Sequence, residues 1–326
     1  HIKKLVFFSV MIFKKPKFWD LKKPSLISYL LLPLTIIVKI DKYFQSFKIT
    51  KKNDKIRTVC VGNIYLGGTG KTPTVIKLFK ILKKLKLRVA VGKKFYSSQQ
   101  DERIILKNCT NLLTSNDRKS ILKKAINHQQ EVLIFDDGLQ DKNLYYDLKI
   151  VCFDSQNWVG NGLLIPSGPL REKLDSLKEY DCVLLKDAHK KNSVIFKSIK
   201  RINNKIKVFN TYLKVSNLKK SNNLKKFLIF SGIGNPNSFK KILIENNFNI
   251  AEEMIYPDHY NYKKSDIIDI KERAKKIGAK IITTEKDYVK ILPKDRKNID
   301  VLKIKLNIKN EKTFIKFLKS KIYDKN

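Results

Sequence analysis

The chain is poor in cysteine, arginine and acidic side chains, and each shortage narrows what it can be. Its four cysteines, Cys60, Cys109, Cys152 and Cys182, stand far apart with no CxxC pair. That spacing argues against a zinc site or a disulfide framework and fits buried thiols in a reducing compartment. Of 69 basic residues only eight are arginine, whereas base-edge readout and bidentate phosphate clamps favour the planar guanidinium fork. Acidic residues number 30, so the formal net charge is +39. Lysines scattered at that excess read either as solvated faces or as attraction to anionic lipid, phosphate or nucleic acid. Long apolar runs are missing as well. The most apolar stretch, residues 26–38 (LISYLLLPLTIIV), is 13 residues long and contains Pro33, short of the roughly 20 residues that a helix needs to cross a bilayer.

Lys14, Lys15, Lys17, Lys22 and Lys23 precede this stretch, with Phe18 and Trp19 among them, and Lys39 and Lys42 follow it. Basic and aromatic residues around a short apolar run suit a helix lying in the interface of an anionic leaflet. A helix packed on its own domain fits the same pattern. Residues 5–8 and 10–13 are also apolar, but no small-residue cleavage site of a secretory signal follows them. Met11 opens the segment MIFKKPKFWD, and residues 1–10 are expected to be an upstream extension or a fragment end.

At 326 residues the chain has length for two domains. Residues 57–62 (RTVCVG) read as a short buried strand, and residues 74–87 carry Val75, Leu78, Phe79, Leu82 and Leu85 at helical spacing. Between them stand Gly67, Gly68, Thr69, Gly70, Lys71 and Thr72. A strand, a glycine-rich turn and a helix start form the context in which backbone N–H groups cradle phosphates. Lys71 would reach the terminal phosphates and the Thr72 hydroxyl would bind magnesium. The strict motif has a glycine six residues before the lysine, and here that position is Tyr65. Residues 131–135 (EVLIF) form a second buried-strand candidate, ending in Asp136, Asp137 and Gly138. Carboxylates at that point are what a phosphoryl-transfer site needs to hold magnesium, although Asp-Asp-Gly also makes an ordinary turn.

Six segments in order resemble the tetraacyldisaccharide 4′-kinases of lipid A biosynthesis. They are VGNIYLGGTGKTP (61–73), DDGLQ (136–140), NGLLIPSGPLRE (161–172), SGIGNP (231–236), YPDHYNY (256–262) and TTEKDYVKI (283–291). The resemblance implies magnesium-dependent transfer of the ATP γ-phosphate to the 4′-hydroxyl of a lipid disaccharide 1-phosphate. It also implies peripheral attachment to an anionic membrane surface, the cytoplasmic face of a bacterial inner membrane, and no nucleic-acid partner. A basic P-loop NTPase acting on nucleic acid is the competing reading. By the same resemblance Asp101 is the catalytic base and His259 its partner. Asp136, Asp137 and Glu102 with Thr72 form the metal-binding set, while Gln140 and Arg171 contact phosphate. Taken singly, His259 reads as a surface or packing residue and Arg171 as a surface partner of Glu172 or Glu179.

Three departures from the family pattern stand out. Its Ser-Arg-Gly-Tyr-Gly segment is replaced by Gly92, Lys93, Lys94, Phe95 and Tyr96, so Lys93 or Lys94 is left to supply the missing arginine's charge. Arg103 stands where a proline is expected, and Asp141 where a histidine is common.

Alternation of apolar runs with helical patterns predicts an α/β fold, a P-loop NTPase-like, mostly parallel sheet flanked by helices. A smaller second α/β domain and an N-terminal membrane-associating helix complete the expectation. The expected boundaries are 1–45 for the membrane segment, 46–214 for the P-loop core, 215–226 for a polar linker and 227–326 for the second domain. Lys71 falls in the core and His259 in the second domain, so a shared site would lie in a cleft between them.

Overall fold

The structure is a computed structural model and describes residues 15–47, 50–186, 193–217 and 225–323. The expectations for residues 1–14 and for most of the polar linker, 218–224, lie outside the described residues, as does the Lys42 side chain. Seven strands come first: β1 (Arg57–Gly62), β2 (Val89–Lys94), β3 (Leu112–Ser115), β4 (Val132–Asp136), β5 (Leu148–Asp154), β6 (Cys182–Lys186) and β7 (Lys207–Val215). Four more follow, β8 (Lys226–Ser231), β9 (Asn249–Ile255), β10 (Lys280–Thr284) and β11 (Ile299–Leu302), and then β12 (Ile304–Ile308). They form an eight-stranded sheet ordered β12-β7-β6-β5-β1-β4-β2-β3 and a four-stranded sheet ordered β11-β10-β8-β9.

Period-two side-chain alternation explains why the larger sheet is buried on both faces. On one face Val59, Val61, Ile134, Ile150 and Leu184 join a cluster completed by Val75, Leu78, Ile81 and Leu82 of the helix Lys71–Lys84. The intervening residues Cys60, Leu133, Phe135, Val151 and Leu185 form the core on the other face. Strand β1 sits between β4 and β5, and both pairings are parallel. The order therefore reverses at β1, and ligands of open α/β sheets bind at the carboxyl ends of strands at such a point. The loop after β1 and the acidic turn after β4 leave that end together, because Val61 is the ladder partner of Asp136.

The chain divides into two compact units, and the division differs from the sequence-based boundaries. The larger unit comprises Pro16–Phe95, Leu106–Lys214 and the chain from Ile304 onward. The segment from Pro16 onward is thus part of this unit: Trp19 Nε1 donates to the Pro166 carbonyl at 2.9 Å and Asn161 Nδ2 to Ser28 Oγ at 3.1 Å. The final strand and the helix Glu311–Tyr323 also belong to it, since Leu306, Ile308, Phe314 and Leu318 complete the first core cluster. The smaller unit contains Tyr96–Ile105 and Val215–Lys303. Its core gathers Leu228, Phe230, Ile267, Ile270 and Ile281.

The apolar stretch 26–38 is not one helix. A helix at Leu26–Leu30, closed by a Ser25–Ser28 capping box, gives way to a 3₁₀ turn at Leu32–Leu34 and a second helix, Thr35–Ser46. Pro33 explains the break, because it lacks the N–H that a continuous helix would use. Among the described residues no helix is long and apolar enough to cross a membrane.

Candidate active site

In the larger unit the glycine loop opens the helix Lys71–Lys84. Gly70 is its N-cap at φ +86°, a left-handed conformation that side chains disfavour. No side chain caps this end, so first-turn N–H groups face the loop without a side-chain acceptor. The Thr69 hydroxyl is buried and has no hydrogen-bond partner, and Thr72 is buried beside it in the chain.

Asn63, the first residue after β1, organises what surrounds the loop. Its Oδ1 accepts from Lys71 Nζ at 3.1 Å and from Arg171 Nη1 at 3.0 Å. Its amide nitrogen donates to the Gly67 carbonyl at 3.3 Å, and its own carbonyl accepts from Gln140 Nε2 at 3.1 Å. Gln140 Oε1 is buried without a hydrogen-bond partner. Arg171 Nη1 also lies 2.8 Å from Asp137 Oδ1, and Lys71 Nζ lies 3.9 Å from Asp137 Oδ2. Arg171 thus points to the acidic turn. Glu179 pairs instead with Lys142, and Glu172 accepts from the Tyr180 hydroxyl. Burial would raise the Asp137 carboxyl, but the Lys71 and Arg171 charges outweigh it and hold it below the usual range.

Asp136 and Lys93 are ladder partners on β4 and β2, both buried, with Lys93 Nζ donating to Asp136 Oδ2 at 2.6 Å. The Lys93 charge is thus committed to Asp136, the first carboxylate of the acidic turn. Asp141, where a histidine is common, pairs with Arg118 at 2.8 Å, and Arg118 also donates to the Asp137 carbonyl. That arginine steadies the turn after β4 from outside the motif.

The helix Gln100–Cys109 carries Asp101 and Glu102 in its first turn, which belongs to the smaller unit. Asp101 is buried, and both its oxygens lie 3.1 Å from His259 Nδ1. Burial favours a neutral Asp101, yet the histidine hydrogen bond and the Lys286 charge prevail and hold its carboxyl below the usual range. The same hydrogen bond raises His259 above its ordinary value, against burial and Lys286. Lys286 Nζ donates to Glu102 Oε1 at 2.7 Å.

The expected residues thus fall into two sets: Gly67, Gly68, Thr69, Gly70, Lys71, Thr72, Asp136, Asp137, Gln140 and Arg171 in the larger unit, and Asp101, Glu102 and His259 in the smaller. Sequence reasoning assigned no role to Asn63, Arg118 or Lys286. A lone Asn after a strand and a lone Lys in a Thr-Thr-Glu-Lys-Asp run carry no spacing rule, although both lie inside the quoted segments.

The larger set fits a nucleotide with magnesium. Orphaned Thr69 and Gln140 atoms, an uncapped helix start and two cations offer partners to phosphate oxygens. Thr72, Asp136 and Asp137 are hard oxygen donors of the kind that magnesium takes in small number alongside phosphates. Among the described residues no three His, Cys, Asp or Glu side chains form a metal cage.

A glycine loop after the strand at which a parallel sheet reverses, with an acidic pair on the neighbouring strand, defines a P-loop nucleotide-binding protein. Residues 27–323 match the family model LpxK, tetraacyldisaccharide-1-P 4′-kinase, and the chain belongs to that family. It is 45% identical over 316 residues to the tetraacyldisaccharide 4′-kinase of Pelagibacter ubique, covering 97% of this chain and all of that protein. The Rickettsia conorii protein of the same name is 33% identical, with 92% of this chain and 98% of that one covered. In fold the chain is similar to LpxK from Aquifex aeolicus, crystallised in complex with ATP, with TM-score 0.67, 22% identity, and 91% and 100% of the two chains covered.

Proposed function

We propose that the chain transfers the γ-phosphate of ATP to the 4′-hydroxyl of a tetraacyldisaccharide 1-phosphate. The observation that carries this reading is the Asp101–His259 pair: a buried carboxylate kept ionised by a histidine hydrogen bond and a lysine charge. An alcohol must lose its proton as it attacks phosphorus, and a positioned carboxylate can take it. The O–H proton passes to Asp101 as the acceptor oxygen bonds to the γ-phosphorus and the bond to the departing ADP oxygen breaks. His259 orients the carboxylate. Lys71 and Arg171 hold phosphate oxygens, and Asn63 holds those two cations in place. Thr72, Asp136 and Asp137 are the donors for magnesium, which when bound neutralises charge on the phosphates. Glu102 serves to hold Lys286 beside Asp101.

The acylated acceptor resides in a bilayer, and the segment after Pro16 supports attachment there. Its small polar residues Ser28 and Thr35 are buried, while Leu26, Leu30 and Ile37 are 76%, 70% and 69% exposed. A helix pair with apolar side chains outward and Lys17, Lys22, Lys23 and Lys39 around them suits the surface of an anionic leaflet. We place it on the cytoplasmic face of the inner membrane, where ATP is available.

A radiolabelled-ATP assay with disaccharide 1-phosphate in detergent micelles tests the reading. Label is expected at the 4′-position only with magnesium present. ATP hydrolysis stimulated by DNA or RNA, with no labelled lipid, would replace it with a nucleic-acid function.

A further inference from the structure

Asp287 is fully buried, yet it lies on no element of the reaction as derived above. It is the third residue of the short helix Glu285–Tyr288, whose N-cap is Thr284. A side chain at that position ordinarily serves the helix end and faces water. Here both oxygens are engaged inside the unit. Oδ1 accepts from the Gly232 N–H at 3.0 Å, from the Tyr262 hydroxyl at 3.0 Å and from Lys290 Nζ at 2.8 Å, while Oδ2 accepts from the Thr284 hydroxyl at 2.6 Å. Burial beside Asp287 pushes the Tyr262 phenol far above its ordinary value, so it stays a donor.

The contact with Gly232 leads to the candidate site. Gly232 follows β8, and its carbonyl accepts the His259 N–H at 3.2 Å. His259 is in the left-handed region at φ +59°, which is uncommon for a residue with a side chain. The turn around it closes through Tyr260 N–H to the Pro257 carbonyl at 3.1 Å. Gly232 admits no side chain, because a Cβ would stand 2.9 Å from the Pro257 carbonyl oxygen and 3.2 Å from Tyr260 Cβ. The backbone of the His259 turn therefore lies directly on Gly232, and Gly232 is fixed by Asp287. Strained conformations of this kind persist only where surrounding structure holds them.

We propose that Asp287 is a positioning residue for His259: its buried carboxylate clamps Gly232, and Gly232 sets the left-handed turn that aims the imidazole at Asp101. The adjacent Lys286 reaches Glu102, so one short helix aligns both members of the pair. The assignment rests on the reading of Asp101 and His259 as the pair that activates the acceptor.

The test is a double-mutant cycle on the full chain with Asp287→Asn and His259→Ala, assayed by phosphotransfer in micelles. Asp287→Asn is expected to lower kcat by about tenfold or more with KM for ATP changed by less than about twofold, and to add nothing once His259 is alanine. An equal loss in both backgrounds, or no loss in the first, overturns the proposal. If Asp287→Asn does not fold, Tyr262→Phe takes its place in the cycle, with a smaller loss and the same non-additivity expected. A ¹⁵N-imidazole spectrum, with the His259 signal identified by its absence in His259→Ala, gives a readout independent of turnover. A shifted His259 signal in the Asp287 or Tyr262 variant supports positioning, and an unmoved signal overturns it. Should the unmodified chain transfer no phosphate, the proposed function fails, and the imidazole spectrum still decides the role of Asp287.

Discussion

His259 Nδ1 is equidistant, at 3.1 Å, from the two carboxylate oxygens of Asp101. One ring N–H thus bridges the whole carboxylate, and the backbone N–H of Glu102 adds a second donor to Oδ1 at 2.8 Å. Each partner's protonation is set by the other, so the two titrate as a pair.

Asp101→Asn replaces the carboxylate, whose hydrogen bond is the largest cause of the raised His259 value, with a neutral amide, leaving burial and Lys286 opposed only by Asp258. The His259 titration midpoint is expected to fall, followed by NMR of the imidazole. A midpoint that stays raised would show that the carboxylate is not its cause. Phosphotransfer is expected to fall about 10²- to 10⁴-fold, the range of a lost general base.

The same shifts fix the sign of a stability effect. His259 is raised in the folded chain, so its contribution is complete below 6.5 and is lost as pH rises through the folded value. Asp101 is lowered, so its contribution is present above 3.8 and is lost as pH falls through its folded value. The melting-temperature gap between the unmodified chain and His259→Ala is expected to narrow from about pH 6 to about pH 9. A gap that widens over this window contradicts the assignment.

The side-chain amide of Asn63 links two cations to the glycine loop, while its backbone carbonyl holds Gln140. Asn63→Ala leaves the Lys71 and Arg171 head groups without their shared acceptor and the Gly67 carbonyl without its donor. At about 1.4 kcal/mol, an ordinary net cost for a lost hydrogen-bonding group, KM for ATP is expected to rise about tenfold. Substrate-saturation curves at fixed magnesium measure it. An unchanged KM would mean that the loop holds phosphate without the amide.

What the sequence made legible has a physical pattern. Strands β1 and β4 and the helix Lys71–Lys84 were readable because a parallel strand buried on both faces is a continuous apolar run. Asp136 and Asp137 were placed by where such a run ends. The return of β12 to the larger sheet was not readable, because pairing of residue 304 onward beside β7 depends on packing across nearly a hundred residues of intervening chain. The sequence leaves Lys93 and Lys94 as alternatives, and only the register of β2 on β4 sets Lys93 against Asp136. Arg118 and Asp287 act through backbone groups, Asp137 O and Gly232 N, which no side-chain motif reports.

Lys93 and Asp136 form a buried, in-register ion pair. Removing one partner of such a pair leaves an uncompensated charge and costs about 3–5 kcal/mol, whereas replacing both with apolar residues is often neutral. Lys93→Met is therefore expected to destabilise the chain strongly in urea. Lys93→Met with Asp136→Leu is expected to recover much of the loss while abolishing phosphotransfer, because Asp136 is then gone as a metal donor. Equal destabilisation by the single and double variants would argue that Lys93 acts by packing its stem rather than by charge.

The outward apolar face at residues 26–47 gives a prediction about location. Leu30 and Ile37 are each more than two-thirds exposed, and Tyr43, Phe44 and Phe47 extend the face. Burying one such side chain yields about 1.5–3 kcal/mol when complete, so partial insertion of two accounts for at least a factor of ten in partitioning. Leu30→Gln with Ile37→Gln is expected to reduce binding to vesicles containing anionic phospholipid by about tenfold or more, measured by flotation. Phosphotransfer to a short-chain, water-soluble acceptor should be unaffected. Raising salt should weaken the lysine contribution in both proteins while leaving the gap between them, because screening acts on charges and not on apolar burial. Vesicle binding that is identical in the two proteins at every salt concentration would remove this face from the membrane and assign the attraction to lysines alone.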